Sequence, residues 1–446
     1  MSQLSSSSSK KNTLLGKFVG NTSWMMFQRI YQMVIQLVVG SLSARYLGPS
    51  NYGLINYGSS IISFFLTVSK LGMDSVVVAE MSRNPQKESS YLGTALLMRF
   101  IASLLSFFAV WSIVILIEPG NTLLQVVTVL QAIAIIFQST EVLYFWFQAR
   151  LEMKYVTLTT MIALTVTAVW RVSLLANAAA VQWFALSSSI SALVCGVCIV
   201  VFFAYKAKLK LSVSWNDGRF LLSNSYHFII NGLAVTLYTQ LDRIMLGKVV
   251  SQEAVGFYSA ASTIAVMWEF IPNAVINSAT PILIKKRETD VVAYKKRYRQ
   301  LMLGISIMGV CVGIGFTLFS RLIIYILYGE MYYPSINALK ILIWSTSFAM
   351  IGSSRAIWLV SERKYKYGKY FTIMGAIANV ILNSMMIPRY GIEGAAFATL
   401  ISQVVVSLIA PLVFPNTIEF TREYFRSFGE LLDLWKKVKE SVKRRR

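Results

Sequence analysis

Long apolar runs, separated by short polar loops, recur along the whole chain. Each approaches or exceeds the roughly 20 residues that a helix needs to cross about 30 Å of hydrocarbon. Twelve spans are predicted, with approximate limits 18–44, 52–80, 91–117, 121–146, 156–177, 181–205, 220–247, 254–284, 300–320, 336–360, 370–388 and 392–414. A transmembrane β-barrel would need shorter segments of alternating hydrophobicity, and these are not found. The expected fold class is an all-α polytopic membrane protein.

Polar residues inside the runs are spaced helically. In the second span Asn56, Ser60, Ser63, Thr67, Lys70 and Asp74 follow at steps of four, three, four, three and four, so one continuous helix would carry all six on one face. Lys70 and Asp74 then read as i,i+4 neighbours that partly neutralise each other. Thr22, Arg29, Gln32, Gln36 and Ser43 share a face of the first span. Ser262, Glu269, Asn273, Asn277 and Thr280 share one of the eighth. Span seven carries Asn231, Tyr238 and Asp242 on one side, and Thr236, Gln240 and Arg243 on the next.

Intramembrane charges are costly and face a bundle interior or a wet cavity. Arg29 and Lys70 therefore read as cavity residues, the alternative being a structural pair such as Arg29 with Asp74. Arg99, Arg171 and Arg355 lie nearer the membrane faces, where substrate contact and snorkelling are both open. Asp242 beside Arg243 reads as either a cavity group or an interfacial pair. Glu141 and Glu269 read as either coupling-ion sites or packing hydrogen bonds. His227, the sole histidine, reads as interfacial.

With the N-terminus placed in the cytoplasm, 31 Lys and Arg fall in cytoplasmic segments against five outside. That asymmetry is the positive-inside signal of an even number of spans with both ends inside. The sequence also repeats. "LGPSNYGLINYGSS" (47–60) aligns with "VSQEAVGFYSAAST" (250–263), and "FWFQARLEMKY" (145–155) with "IWLVSERKYKY" (357–367). Spans 1–6 thus resemble spans 7–12 in the same orientation, a parallel repeat of two six-helix bundles; transporters built from such repeats bind substrate between them. The expected organisation is a disordered serine-rich N-terminus (1–17), a first bundle (18–205), a cytoplasmic linker (206–219), a second bundle (220–414) and a basic tail (415–446). In the tail, Phe425, Phe428, Leu432, Trp435, Val438 and Val442 form one apolar stripe, suited to lying on an anionic inner leaflet.

Composition narrows the function. The chain is 56% hydrophobic and 14% charged, with mean hydropathy +0.59 and net charge +22. In a soluble protein that charge would suggest nucleic acid; here loop and tail placement explains it, and no nucleic-acid partner is expected. Cys195 and Cys198 form a C-x-x-C inside an apolar span without nearby histidine, which reads as packing. No phosphate-binding loop or metal-ligand cluster occurs, so neither cofactor nor enzymatic activity is expected. Within the spans Arg29, Lys70, Arg99, Arg171, Arg243 and Arg355 outnumber Asp74, Glu141, Asp242 and Glu269. Surplus arginine suits an anionic head group, because guanidinium binds phosphate bidentately.

"NTSWMMFQRIYQMVIQLVVGSLSARYLGPSNYGLINYGSS", with its A-R-Y-L-G-P-x-x-Y-G segment (44–53), and "SKLGMDSVVVAEMSR" after it resemble the polysaccharide transporter family, the Wzx-type flippases of the MOP superfamily. "LDRIMLGKVVSQEAVGFYSAA" (241–261) and "YGIEGAAFATLIS" (390–402) resemble its second-half hallmarks. The resemblance implies a V-shaped pair of six-helix bundles working by alternating access. It implies a substrate of undecaprenyl-pyrophosphate-linked oligosaccharide moved to the outer leaflet of the bacterial cytoplasmic membrane. It also implies neighbours in the pathway such as a polysaccharide polymerase and a chain-length regulator. In such a cavity Arg29, Lys70, Arg99, Arg171, Arg243, Arg355, Gln32 and Asn56 are the candidate substrate contacts. Asp74, Glu141, Asp242 and Glu269 are the coupling or ion-pair candidates. Many relatives have fourteen spans, against twelve counted here. A cation-coupled multidrug exporter of the same superfamily is the alternative, but it would call for surplus carboxylate. A membrane enzyme would call for larger loops bearing carboxylate or histidine clusters.

Overall fold

The computed structural model describes residues 23–207 and 209–429. The expected N-terminal segment and the tail positions Leu432, Trp435, Val438 and Val442 lie outside the described residues. Among those described, all regular structure is helical. Ten helical runs are long and apolar enough to cross a membrane. Two of them, 23–83 and 367–413, contain a glycine outside the helical region: Gly48 (φ 71°, ψ 169°) and Gly391 (φ 53°, ψ −124°). Positive φ carries no Cβ penalty at glycine, so each ends one helix and starts another. Dividing those two runs gives twelve segments, compatible with the count expected from hydropathy.

The chain forms two compact units, Met1–Thr236 and Leu237–Arg446. The first contains α1 (23–47), α2 (49–69), α3 (Asp74–Arg83), α4 (Glu88–Ile117), α5 (Thr122–Gln138), α6 (Val142–Ala149), α7 (Met153–Ala176) and α8 (Val181–Ala207), with the opening turns of α9 (Trp215–Val249). Its core gathers Met73, Val77, Leu92, Trp146, Phe147 and Ile199.

One expectation fails here. The second span is not one helix through Asp74: it ends at Ser69, and Leu71 (φ 53°) and Gly72 (φ 61°) turn the chain before Asp74 opens α3. Lys70 and Asp74 are therefore not i,i+4 neighbours. Gly72 is required twice over, because a Cβ there would sit 2.6 Å from the Ser225 carbonyl oxygen as well as needing the left-handed conformation. A second break, the 3₁₀ turn Ser139–Glu141, separates α5 from α6.

The linker is shorter than expected, since α9 begins at Trp215 rather than near 220. It runs along the first turns of α4. Ser89 donates to the Lys210 carbonyl, Thr94 accepts from the Ser214 amide at 3.0 Å, and Gly93 leaves no room for a Cβ against Ser212.

The second unit holds the rest of α9, then α10 (Gln252–Met267), α11 (Phe270–Thr289), α12 (Val291–Tyr328), α13 (Ser335–Ser361), α14 (367–390), α15 (392–413) and α16 (418–429). Its core includes Trp268, Tyr294, Tyr298, Trp358, Phe371 and Phe420. Helix α16 is docked through Glu419, Phe420, Glu423 and Tyr424. Phe420 packs on Trp358, Glu419 meets Lys295 at 2.8 Å, and Glu423 meets Arg299 at 2.6 Å and Arg426 at 3.1 Å. Phe425 and Phe428 remain exposed, at 61% and 42%. Burial alone would raise the Glu423 carboxyl, but Arg299, Arg426 and Lys295 hold it below the usual carboxylate range.

Two outcomes follow. Gly72→Ala lowers stability by about 2 kcal/mol or more through left-handed strain plus the clash, whereas Gly120→Ala, at φ 89° with open space around it, costs about 1 kcal/mol. Thermal unfolding in detergent measures both. Because the folded pKa of Glu423 lies below its unfolded value of about 4.3, its contribution is present above that pH and is lost as pH falls through the folded value. The wild type should therefore exceed Glu423→Gln in melting temperature at pH 7, with the gap closing below about pH 4.

Candidate functional site

In the first unit the polar stripe of α2 satisfies itself. Asn56, Ser60, Ser63 and Thr67 each donate to the carbonyl four residues earlier, at 2.8 to 2.9 Å, and Thr67 also meets the Thr236 hydroxyl at 2.8 Å. Such back-bonding is how hydroxyl and amide groups are carried where water is absent. At the foot of the stripe, four charges from four separate segments meet. The Arg99 guanidinium, 2% exposed, lies 3.3 Å from Asp74 and 3.8 Å from Glu141, while Lys70 stands 3.9 Å from Glu141. Two helix breaks of the unit supply members: Lys70 opens the 70–73 turn and Asp74 follows it, and Glu141 ends the 3₁₀ turn. Arg99, on unbroken α4, bridges them. Asp74 is thus paired with Arg99, and the sequence alternative of an Arg29–Asp74 pair is not observed. Arg29 is exposed on α1.

Gln32 and Arg171 come together. They line a cavity of about 310 Å³ with Gln36, Ser187, Ser188 and Ser191, walled by Ile35, Val39, Leu164 and Ala168. Gln36 and Val39 belong to a π-helical turn, Gln36–Gly40, within α1. Single-turn π-bulges shift the register of side chains and often mark functional positions.

In the second unit Asp242 and Arg243 are not the interfacial pair that one reading allowed. Asp242, 3% exposed, accepts from the Tyr258 hydroxyl, from the Asn383 amide at 2.5 Å and from the Thr399 hydroxyl at 2.6 Å; Asn383 also donates to Asn379 at 3.0 Å. Arg243 turns elsewhere, to Ser259 at 3.1 Å, Gln240 at 3.0 Å and Ser262 at 2.8 Å. Arg355 donates to the Val406 carbonyl, in the π-helical turn Val405–Ile409, and lies 4.5 Å from the Phe371 ring centroid. A π turn displaces the usual helical acceptor pairing, and Arg355 takes up a carbonyl there, a structural use of its charge. Glu269 sits at the break between α10 and α11, so the eighth-span stripe is also divided.

Gln240 and Ser262, which Arg243 meets, lay on the polar faces read from the sequence, but the neutral partners of Asp242 did not. Asn379 and Asn383, four apart in an apolar run, carried a visible signal; so did "SSS" (187–189), a hydroxyl cluster inside a span. Tyr258 and Thr399 carried none, being ordinary positions until the helices meet.

Comparison with known proteins bears on what these centres serve. Residues 18–286, more than half of the chain, match the family described as "Polysaccharide biosynthesis protein". The "Probable flippase AglR" of Haloferax volcanii is 28% identical over 197 residues, which cover 41% of this chain and 39% of that protein; the match thus spans about two fifths of that relative. Among solved structures, "Lipid II flippase MurJ, inward closed conformation" superposes with a TM-score of 0.72 at 16% identity, covering 94% of this chain and 93% of the other. An inward-facing multidrug resistance MATE transporter of the MOP superfamily superposes at 0.65 and 13% identity, covering 91% and 98%. At these identities the structures share a fold with this chain.

The ion network generates a prediction. Arg99→Leu leaves two carboxylates without their bridging cation and lowers stability by about 2–3 kcal/mol, a figure reduced from that of a fully buried pair because Asp74 is half exposed. Adding Glu141→Leu recovers part of the loss, as a double-mutant cycle on thermal unfolding reads out.

Proposed function

The chain belongs to the polysaccharide biosynthesis protein family, and on that premise we propose that it is a flippase for lipid-linked oligosaccharide. The substrate class is a polyprenyl-pyrophosphate-linked glycan, undecaprenyl in a bacterial setting, carried from the inner to the outer leaflet of the cytoplasmic membrane by alternating access. Both termini then lie in the cytoplasm, as the excess of Lys and Arg in those segments favours.

The observation that carries this reading is the hydroxyl- and amide-lined cavity of the first unit. Gln32, Gln36, Ser188 and Ser191 offer the mixed donors and acceptors that sugar hydroxyls require. Among the described residues no carboxylate lines it to receive a cationic drug. Arg29, one turn before Gln32 and exposed, is the charge that guides the pyrophosphate toward that face. Lys70, the more accessible cation of the ion network, receives it on the cytoplasmic side.

Asp242 is the coupling group in this account. It is a buried carboxylate held by three neutral hydrogen-bond partners from three helix segments, so adding or removing a proton or cation there would alter contacts among α9, α10, α14 and α15. A polymerase and chain-length regulator would act on the delivered glycan outside.

A deletion strain should accumulate lipid-linked glycan on the inner face, and the wild-type gene should restore surface polymer. Arg29→Ala inserts normally and abolishes surface polymer; full polymer from the inserted variant rejects the assignment. Asp242→Asn inserts normally and lowers polymer at least tenfold. Unchanged polymer from it excludes the coupling role.

A further inference from the structure

Helix α16 lies against α12 in a register that fixes its direction. Lys295 meets Glu419 and Arg299 meets Glu423, so a step of four along α12 matches a step of four along α16. Equal steps taken in the same order place the two helices side by side in the same sense. Ser306, further along α12, continues the series by donating to the Tyr424 hydroxyl at 3.5 Å. On the positive-inside orientation α12 starts at the cytoplasmic face, and α16 therefore rises from that face beside it.

The two sides of α16 differ in charge. Its carboxylates, Glu419 and Glu423, turn inward to the cations of α12. Its arginines turn outward: Arg422 is exposed, and the Arg426 side chain is 62% exposed even though one nitrogen meets Glu423. Phe425 and Phe428 are exposed with them. Next to this surface, between α12, α13 and α16, lies a cavity of about 230 Å³. Val310, Cys311, Trp344 and Phe348 line it from the spans, and Tyr424 and Phe428 from α16. Val310 and Cys311 are also exposed, so the cavity opens on the apolar surface that α12 shows to lipid. Its volume falls below the roughly 300–1,000 Å³ of drug-sized sites, and its lining suits a length of hydrocarbon.

We infer that this groove holds one anionic phospholipid of the inner leaflet, with an acyl chain against Trp344 and Phe428 and the phosphate at Arg426. Charge selects this occupant. A lipid without net charge gains less from Arg422 and Arg426, because basic side chains at a membrane surface favour anionic lipids. A second copy of the chain, docked by a two-fold axis on this surface, would bring the same arginines toward each other. The bound lipid would join α16 to α12 and α13 from the membrane side, as the Glu419 and Glu423 pairs join it to α12 from the protein side. The site goes beyond the transport reading and does not depend on it.

Quenching of Trp344 by brominated acyl chains tests the site. The full chain is reconstituted in phosphatidylcholine vesicles with a rising share of brominated phosphatidylglycerol or, separately, brominated phosphatidylcholine. The Trp344 signal is the difference between wild type and Trp344→Phe. Half-maximal quenching should need at least tenfold less phosphatidylglycerol than phosphatidylcholine. Arg426→Gln should raise the phosphatidylglycerol requirement about fivefold, the equivalent of ~1 kcal/mol per basic residue at an anionic surface. Arg321→Gln, a cation outside the groove, should leave it unchanged. Cys311→Phe, which fills the groove from an exposed position, should remove the preference while melting at the wild-type temperature. Equal quenching by the two lipids, or a preference that survives both Arg426→Gln and Cys311→Phe, overturns the proposal. So does relief of the quenching by a short-chain prenyl pyrophosphate, which gives the groove to a carrier lipid. Cross-linking of Cys311 between copies in place of quenching gives it to a second chain, and overturns the proposal likewise.

Discussion

Hydrocarbon offers no hydrogen bonds, so every polar group within the spans must find its partner inside the protein. That constraint organises both units. Asn56, Ser60, Ser63 and Thr67 meet it locally, by bonding back along their own helix. Arg99 meets it across helices with two carboxylates, and Arg355 with a carbonyl of a π turn. Asp242 meets it with neutral donors from three segments. Some buried atoms have no partner within the described protein, among them the Nε atoms of Arg99, Arg171 and Arg355 and the Ser187 hydroxyl.

The same constraint decides where the backbone departs from a helix. The turn at 70–73 and the 3₁₀ turn at 139–141 fall beside one another in space, and the charges that flank them share Arg99. Breaks of this kind free carbonyls and amides, and they are tolerated at membrane depth only where protein or water covers them. They also divide the helices into shorter pieces.

How much of this the sequence revealed follows from range. The all-helical membrane class came from hydropathy alone, since a span is a local property of about 20 residues, and the ten long apolar runs are compatible with the expected twelve segments. The turns at Gly48 and Gly391 sat where short loops were expected. The stripe from Asn56 to Thr67 was readable because helical spacing is local; its extension to Asp74 failed because the packing of Gly72 against Ser225 is not. Charges in spans stood out by their cost, yet their partners depended on helix contacts far apart in sequence. Asp242 beside Arg243 suggested a pair; packing sent one to α14 and α15 and the other to α10. The cavity united Gln32 with Arg171, both candidates from the start, but the serines that complete it were overlooked for being neutral.

The central claim is that the cavity lined by α1, α7 and α8 is wet, while the exposed apolar surface of the first unit faces lipid. Single cysteines at Gln36 and Ser191, and one at Ile115 on the exposed apolar surface of α4, in a chain whose three native cysteines are replaced, measure it through reaction with a charged, membrane-impermeant thiol reagent. The account predicts rapid modification at positions 36 and 191 and none at 115. Cavity cysteines as inert as the one at 115 would contradict it.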